Sequence, residues 1–286
     1  MLLKEIKNIY HKELDPLYDM EEVSSFFYIL LEHYLGLERF ILALEPEMII
    51  SKTEEQPLFE GLARLRKEQP IQYITETAFF FDLSFHVNEY VLIPRPETEE
   101  LVAWIIADAS KRNNEAIKIL DIGTGSGCIA ITLAKHLPQA KVYALDVSEK
   151  ALKIAKKNAA SNEVAIQFLH EDILAMDELP ERFDIIVSNP PYVRELEKED
   201  IQNNVKNYEP GNALFVADDK PLVFYEKIGH LAAKFLKNNG RLYFEINQYL
   251  GKETVLLLEH QNFSEIELRK DHFNNDRMLK CTRNNE

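Results

Sequence analysis

The stretch of sequence that is best suited to chemistry follows an apolar run that ends at Ser188. It consists of Asn189, Pro190, Pro191 and Tyr192. Two consecutive prolines supply no backbone donors and hold their φ angles near one value, so we expect a rigid corner. The side-chain oxygen of Asn189 and the backbone carbonyl of Pro190 could accept hydrogen bonds from one planar NH2 group, against which Tyr192 could stack. We interpret the stretch as a substrate site; a rigid turn that only ends a strand is the alternative.

Such a site suits the transfer of an electrophilic methyl group to a nitrogen whose lone pair is delocalised into an amide or an aromatic ring. That nitrogen is a poor nucleophile. Two aligned acceptors favour the positive charge that develops on it, and holding it in line with the methyl group supplies most of the remaining advantage. A strong general base is not obligatory, because the proton becomes acidic as the new bond forms. Asn189, Pro190 and Tyr192 are the candidate catalytic residues.

A glycine-rich turn, Asp121–Gly127, follows another apolar run and precedes a helical pattern. Its glycines remove side chains where a cofactor must approach the backbone, and their spacing departs from the dinucleotide pattern G-x-G-x-x-G. A tight strand-to-helix turn without a ligand is the alternative. The candidate cofactor-binding residues of this turn are Gly123, Thr124, Gly125, Ser126 and Gly127.

Acidic residues end the next two apolar runs. Asp146 lies 23 positions after Gly123, where a carboxylate could accept hydrogen bonds from both hydroxyls of a ribose. It or Ser148 could instead cap the following helix. After the next run, Asp172 could meet an adenine amino group and Ile173 could pack on the face of that ring. Together with the glycine turn, these acids favour a cofactor that contains a nucleoside.

Elements that could position these residues follow from the hydrophobic pattern. Residues 1–72 show helical spacing, 79–93 alternate as a short hairpin, and from residue 117 strands alternate with helices. We therefore predict a doubly wound, mainly parallel sheet, whose ligands lie beyond the carboxyl ends of the strands. The expected domains are a helical domain (1–75), a hairpin linker (76–94) and an α/β domain (95–286).

Composition narrows the class of protein. The 286 residues carry a formal net charge of −15, and the acidic excess is concentrated before residue 95, which disfavours duplex nucleic acid as a partner. No apolar window is long enough to span a membrane, and the first residues do not resemble a signal peptide, so we expect a cytoplasmic protein. Cys128 and Cys281 indicate neither a disulfide framework nor a metal site, and the scattered histidines indicate no metal. We expect a monomer.

Beyond these separate signals, the chain resembles the Rossmann-like class I methyltransferases, and within them the HemK/PrmC family of protein-(glutamine-N5) methyltransferases. The resemblance covers nearly the whole chain and is carried by six segments: "VLIPRPETEELV", "LDIGTGSGCIAI", "ALDVS", "NPPY", "YEPGNALFVADD" and "NDRMLKCTR". Several amino-methylating families share "NPPY", whereas "IPRPETE" ahead of the glycine turn is more specific. Two positions depart from the family pattern, because Ile173 replaces an aromatic residue and Glu76 stands where a glycine usually follows the threonine.

This resemblance implies a seven-stranded sheet, S-adenosyl-L-methionine as cofactor and S-adenosyl-L-homocysteine as product. It implies that the cofactor is held by the turn 123–127, Asp146, Asp172, Ile173 and Asn189. It also implies that residues 189–192 hold the substrate amide, so that Asn189 contacts both molecules. The implied substrate is the glutamine of the Gly-Gly-Gln motif in class I peptide chain release factors. The implied role of the helical domain is to dock that factor, and the consequence of methylation is a change in translation termination.

Other interpretations stay open. A nucleic-acid amino methyltransferase acting on adenine N6 or guanine N2 could use the same Asn-Pro-Pro-Tyr site, although the sequence offers no extended basic stretch. A nicotinamide-dependent oxidoreductase or a non-catalytic binding module would leave that site unexplained. Arg95 and Glu97 could belong to the active site or to a structural ion pair, and residues 208–221 could form a lid or an ordered loop.

Overall fold

The structure, a computed structural model, describes residues 1–112 and 116–284. Within these ranges no helix is long and apolar enough to cross a membrane. The helices are α1 (Leu3–Leu14), α2 (Met20–Leu35), α3 (Ile41–Leu44), α4 (Lys52–Leu65), α5 (Ile71–Ile74), α6 (Pro96–Ala109), α7 (Cys128–His136), α8 (Glu149–Ser161), α9 (Asn203–Tyr208), α10 (Gly211–Leu214), α11 (Val223–Phe235) and α12 (Gly251–His260), with 3-10 turns at Ser110–Arg112 and Glu195–Glu197. The strands are β1 (Thr77–Phe80), β2 (Leu83–His86), β3 (Lys118–Ile122), β4 (Lys141–Asp146), β5 (Ile166–His170), β6 (Phe183–Ser188), β7 (Val193–Arg194), β8 (Phe215–Val216), β9 (Leu236–Glu245), β10 (Phe263–Lys270) and β11 (Asp276–Arg283).

The chain folds into two compact units. The first contains residues 1–77 together with the distant segment 203–208, and the second contains residues 78–202 and 209–286. In the first unit α1, α2 and α4 bury an apolar core, in which the rings of Tyr10 and Phe27 meet edge to face at 5.3 Å. The hydroxyl of Tyr208 donates to the Lys67 carbonyl at 2.6 Å, which ties the segment 203–208 to the turn that follows α4 in this helical unit.

Seven strands of the second unit form one sheet in the order β10-β11-β9-β6-β3-β4-β5. Strand β11 runs antiparallel to both of its neighbours, and the other pairs are parallel. The chain moves outward from β3 through β4 to β5 and then returns to place β6 on the other side of β3. This confirms the doubly wound, mainly parallel sheet, with its change of direction between β3 and β6.

Helices cover both faces of the sheet because successive side chains of a strand point to opposite sides. On β9, Leu242 and Phe244 join the core that includes Tyr225 of α11. The intervening Tyr243 packs on the other face, where its ring meets Trp104 of α6 edge to face at 5.6 Å. Buried strands with both faces covered explain the nearly continuous apolar runs of the sequence.

The hairpin is shorter than the expected span 79–93, since its strands are β1 and β2 and the chain beyond His86 is irregular. Phe81 and Asp82 at the turn have φ angles of 51° and 60°, as a two-residue hairpin turn of type I′ requires. Glu76 has a φ of 53°, and this left-handed conformation costs a residue with a Cβ about 1–2 kcal/mol, so a glycine would fit the position with less strain.

Candidate active site

The register of the parallel strands brings the predicted site residues to one edge of the sheet. Ile122 of β3 pairs with Ser188 of β6, so the glycine turn and the Asn-Pro-Pro-Tyr stretch leave the sheet side by side. Ile122 also pairs with Leu145 of β4, and the next residue of β4, Asp146, pairs with His170 of β5. A cavity of about 310 Å³ lies at this edge, where the strand order reverses.

Most of the predicted site residues line this one cavity, although they come from four separate stretches of the chain. Gly127 and Tyr192 do not line it. Those that do are Gly123, Thr124, Gly125, Ser126, Asp146, Asp172, Ile173, Asn189, Pro190 and Pro191.

Two glycines of the turn serve different purposes. Gly125 has a φ of 54°, and a Cβ placed on it would meet no atom within 4 Å, so its backbone faces open space in the cavity. Gly127 has a φ of 84°, and its Cβ would lie 2.8 Å from Cδ1 of Ile131 and 3.2 Å from Cβ of Ala155. Gly127 therefore permits close packing of α7 and α8, while Gly125 permits close approach of a ligand.

Asp146 holds the cavity's polar wall through the backbone. Its Oδ2 accepts the Gly125 N–H at 2.8 Å and its Oδ1 accepts the Ser148 N–H at 2.8 Å. Burial raises the pKa of Asp146, and these backbone donors oppose that shift. Ser148 is the N-cap of α8, since its side chain accepts the Ala151 N–H. Ser148, and not Asp146, therefore caps α8. Each oxygen of Asp146 keeps a lone pair that could accept a hydrogen bond from a ribose hydroxyl.

Asp172 and Ile173 form the next part of the wall. Oδ1 of Asp172 accepts the Leu174 N–H at 2.9 Å, which folds the loop after β5 back on itself. Ile173 is 7% exposed and packs in the sheet's main core beside Leu145 and Leu179. The loop therefore offers a carboxylate next to a firmly supported apolar surface.

These residues fit a nucleoside-containing cofactor. Gly125 leaves room at the backbone, Asp146 offers acceptors suited to a ribose, and Ile173 offers an apolar surface suited to a base.

A buried acid, Asp121 of β3, precedes the glycine turn and is bonded to it, because the Thr124 hydroxyl donates to Oδ2 of Asp121 at 2.6 Å. Burial raises the pKa of Asp121 to about 7, and the hydrogen bond from Thr124 opposes this shift.

Asn189 lies at the other end of the cavity and is half-buried. Its Nδ2 donates to Oγ1 of Thr98 in α6 at 3.3 Å. Among the described residues, none donates a hydrogen bond to Oδ1 of Asn189 or to the carbonyl of Pro190. Both oxygens are therefore available to an NH2 group.

Glu245, at the end of β9, is a further residue of the site that no motif of the sequence indicates. It is 1% exposed, and its two oxygens accept hydrogen bonds from the hydroxyls of Thr98 (2.6 Å) and Tyr192 (3.0 Å). Burial raises the pKa of Glu245, while these two donors and Arg277 oppose the shift. The available signal was a single acid inside the apolar run "RLYFEIN", placed at the carboxyl end of a parallel strand.

Tyr192 lies behind the cavity, where its hydroxyl reaches Glu245 and its ring packs against the main core. Asn247 holds the same stretch by its backbone, because its Nδ2 donates to the Tyr192 carbonyl at 2.9 Å and to Oε2 of Glu197 at 2.8 Å. The end of β9 thus anchors the stretch that follows β6.

Arg95 belongs both to the cavity wall and to a structural ion pair. It lines the cavity and its guanidinium pairs with the buried carboxylate of Glu209, which also accepts the Ile93 N–H at 3.2 Å. Asn212 and Ala213, which lie further along the same segment as Glu209, line the cavity as well. Glu97 does not line the cavity.

Comparison with known proteins gives concordant results. Residues 19–75 match the PrmC N-terminal domain and residues 105–207 match the methyltransferase small domain. A 16S rRNA N2 G1207 methyltransferase from T. thermophilus, solved in complex with AdoMet and guanosine, shares the fold: its TM-score is 0.51 at 20% identity, over 72% of this chain and 49% of that one.

Two curated relatives cover nearly the whole chain. The release factor glutamine methyltransferase of Bacteroides thetaiotaomicron is 42% identical over 95% of this chain and 97% of its own length. That of Flavobacterium psychrophilum is 54% identical over 98% of this chain and 99% of its own length. Identity of this extent confirms the resemblance seen in the motifs: the chain belongs to the release factor glutamine methyltransferase family.

Proposed function

We propose that this chain transfers a methyl group from S-adenosyl-L-methionine to the side-chain amide nitrogen, N5, of the glutamine in the Gly-Gly-Gln motif of class I peptide chain release factors. Methylation would modulate translation termination. The observation that carries the proposal is the single cavity shared by the glycine turn, Asp146 and the Asn189–Pro191 corner. The curated relatives named above support the choice of substrate.

In this proposal the cofactor is held by residues 123–126 of the turn, by Asp146, Asp172 and Ile173, and by Asn189 where the cofactor meets the substrate. Gly127 contributes indirectly, since it permits the close packing of α7 and α8 behind the turn. Asp146 accepts hydrogen bonds from the ribose hydroxyls, Asp172 accepts from the adenine amino group, and Ile173 packs on the ring. S-adenosyl-L-methionine, when bound, supplies an electrophilic methyl group on a positively charged sulfur.

The chain's own contribution to the reaction is placement of the amide. Oδ1 of Asn189 and the carbonyl of Pro190 accept the two N–H groups of the glutamine side chain, which fixes the plane of that amide. The same two oxygens favour the positive charge that develops on the nitrogen as it is alkylated. Pro190 and Pro191 keep both acceptors rigid, so that the orientation is set before the reaction begins.

The remaining parts of the proposal concern partners. The helical unit, residues 1–77 with 203–208, helps to dock the release factor, and Tyr192 supports the substrate pocket from behind. The protein acts in the cytoplasm as a monomer and keeps no nucleic acid stably bound. A nucleic-acid amino methyltransferase is the competing function.

The test is methyl transfer from labelled S-adenosyl-L-methionine, with purified unmethylated release factor and with undermodified DNA and RNA offered in parallel. Mass mapping of the products locates the label. One added methyl group on the Gly-Gly-Gln glutamine is the expected result. Label in nucleic acid and none in the release factor would overturn the substrate assignment.

A further inference from the structure

Glu245 and Thr98 connect to Asn189 by a chain of hydrogen bonds whose direction can be followed atom by atom. Thr98 is 2% exposed and Glu245 is 1% exposed, so both groups are shielded from bulk solvent. The Thr98 hydroxyl donates to Oε2 of Glu245 at 2.6 Å, and Nδ2 of Asn189 donates to Oγ1 of Thr98 at 3.3 Å. Register explains the proximity, because Ser188 pairs with Phe244 in the neighbouring strand.

The direction of these hydrogen bonds, from Asn189 through Thr98 to Glu245, depends on the carboxylate of Glu245. A hydroxyl has one proton, and an ionised carboxylate can only accept hydrogen bonds. Since the Thr98 proton is committed to Glu245, Oγ1 of Thr98 can only accept from Asn189. The Asn189 amide must then turn its NH2 group toward Thr98 and its oxygen away from it.

The other oxygen of Glu245 is satisfied independently. Oε1 accepts the Tyr192 hydroxyl at 3.0 Å, and Nη1 of Arg277 donates to the oxygen of that hydroxyl at 3.4 Å. The Arg277 guanidinium is itself held by Asp271, with Nε to Oδ2 at 3.1 Å. Both oxygens of Glu245 thus act as acceptors. The positive charge of Arg277, which bonds to the Tyr192 hydroxyl, lies close enough to balance the charge of the carboxylate.

We propose that Glu245 is a positioning residue which, through Thr98, sets the orientation of the Asn189 amide and so presents Oδ1 of Asn189 to the NH2 group of the substrate. This inference rests on the proposed function, because it assigns Asn189 the role of acceptor for the substrate amide. Without the carboxylate, the Thr98 proton could point to Asn189. The Asn189 amide could then reverse and place its own NH2 group opposite that of the substrate, where two donors cannot bond.

The experiment compares Thr98→Val, Thr98→Ser and Glu245→Gln in the full-length protein, with unmethylated release factor and labelled S-adenosyl-L-methionine. Thr98→Val keeps the shape and removes the hydroxyl, so we expect kcat to fall about tenfold, the worth of one hydrogen bond. Thr98→Ser restores the hydroxyl and should keep kcat within about threefold of the wild type. The Kd of the cofactor, measured by calorimetry, should not change in any of the three variants.

Thr132→Val is the matched control. Thr132 is fully buried in α7, does not line the cavity, and its hydroxyl has no hydrogen-bond partner within the described part of the chain. This variant makes the same change of side chain in the same unit, and it should retain wild-type kcat.

The decisive comparison is the double variant Thr98→Val/Glu245→Gln. If Glu245 acts through Thr98, Glu245→Gln lowers kcat less than about twofold once Thr98 is valine, because the relay is already broken. Costs that multiply, or a Thr98→Val variant with wild-type kcat, would overturn the inference. The wild type reports separately on the proposed function, since failure of the wild type to methylate the release factor would refute that function before any variant is compared.

Discussion

The two ends of the cavity are built in different ways. At the cofactor end, carboxylates accept hydrogen bonds from nearby backbone N–H groups, as Asp146 does from Ser148 and Asp172 does from Leu174, each two positions along the chain. At the substrate end, side chains bond to side chains that are far apart in sequence: Thr98 and Glu245 are separated by 147 positions.

This difference gives the two ends different tolerances. Backbone donors are present whatever the neighbouring side chains are, so the cofactor end keeps much of its structure when one side chain changes. A network of side-chain hydrogen bonds in a buried place depends on each member, because the loss of one partner leaves the next unsatisfied. We therefore expect single substitutions to alter affinity at the cofactor end and rate at the substrate end.

Asn189→Ala should have the largest effect on rate. It removes an acceptor for the substrate amide, and loss of one preorganised group that stabilises developing charge lowers kcat by about 10²- to 10³-fold. The Kd of the cofactor should change little, because Gly125, Asp146 and Ile173 are untouched. Methyl transfer at saturating cofactor and calorimetry measure the two quantities separately.

Asn8→Ala is the control for this substitution, since Asn8 lies on the exposed side of α1 and does not line the cavity. It should leave both quantities unchanged. If Asn189→Ala raised the Kd of the cofactor and left kcat intact, the division between the two ends would be wrong.

Asp146→Asn should show the opposite result. The amide that replaces the carboxylate can no longer accept both N–H groups of Gly125 and Ser148, and it offers the cofactor a donor in place of an acceptor. We expect the Kd of the cofactor to rise by about 10- to 100-fold, the equivalent of one or two hydrogen bonds to a charged group. At saturating cofactor, kcat should remain within about threefold of the wild type, since the substrate end is unaltered.

The control for Asp146→Asn is Asp177→Asn, whose carboxylate is 96% exposed and lies outside the cavity wall. A fall in kcat at saturating cofactor, comparable to that of Asn189→Ala, would show that the two ends are not separable.

The same difference explains what the sequence could predict. Strand, glycine turn and acid follow one another within short windows, so local pattern was enough to predict the sheet and to bring Gly125 and Asp146 together. Glu245 carried a weaker signal as a lone acid in an apolar strand. The contact of Glu245 with Thr98 depends on the order of strands in the sheet, which no local pattern contains. Gly127 shows the converse, because its motif position suggested a ligand contact and its φ and neighbours indicate helix packing.

Asp121, the buried acid that precedes the glycine turn, gives the cofactor end a dependence of stability on pH that can be measured. Asp121 is fully buried, and burial raises its pKa to about 7, whereas an aspartate in an unfolded chain has a pKa of about 3.9. The folded state therefore binds this proton more tightly. The contribution to the free energy of unfolding is fully present below about pH 4 and is lost as the pH rises through about 7.

Asp121→Asn removes this titration while keeping the shape. We expect the difference in thermal midpoint, variant minus wild type, to increase from pH 5 to pH 8, because only the wild type must bury a charge at the higher pH. Thermal unfolding of both proteins at several pH values measures it, and the other carboxyl groups cancel in the difference. A difference that does not change with pH would contradict the assignment, and Asp177→Asn serves as the exposed control.

Tyr192→Phe should have a smaller effect on kcat than Asn189→Ala. It tests whether the Tyr192 hydroxyl contributes to the rate or only to stability. The change removes the hydroxyl that donates to the Glu245 carboxylate and accepts from Arg277. A hydrogen bond to a charged group is worth about 1.5–3 kcal/mol, so the thermal midpoint should fall by about 3–12 °C. Because Thr98 still donates to Glu245 and still accepts from Asn189, kcat should fall less than about threefold. Tyr10→Phe, which removes a buried hydroxyl bonded to the Leu58 carbonyl in the helical unit, should lower stability without changing kcat. A hundredfold loss of kcat in Tyr192→Phe would mean that the hydroxyl acts on the substrate directly, so that the rate depends on Tyr192 as much as on Asn189.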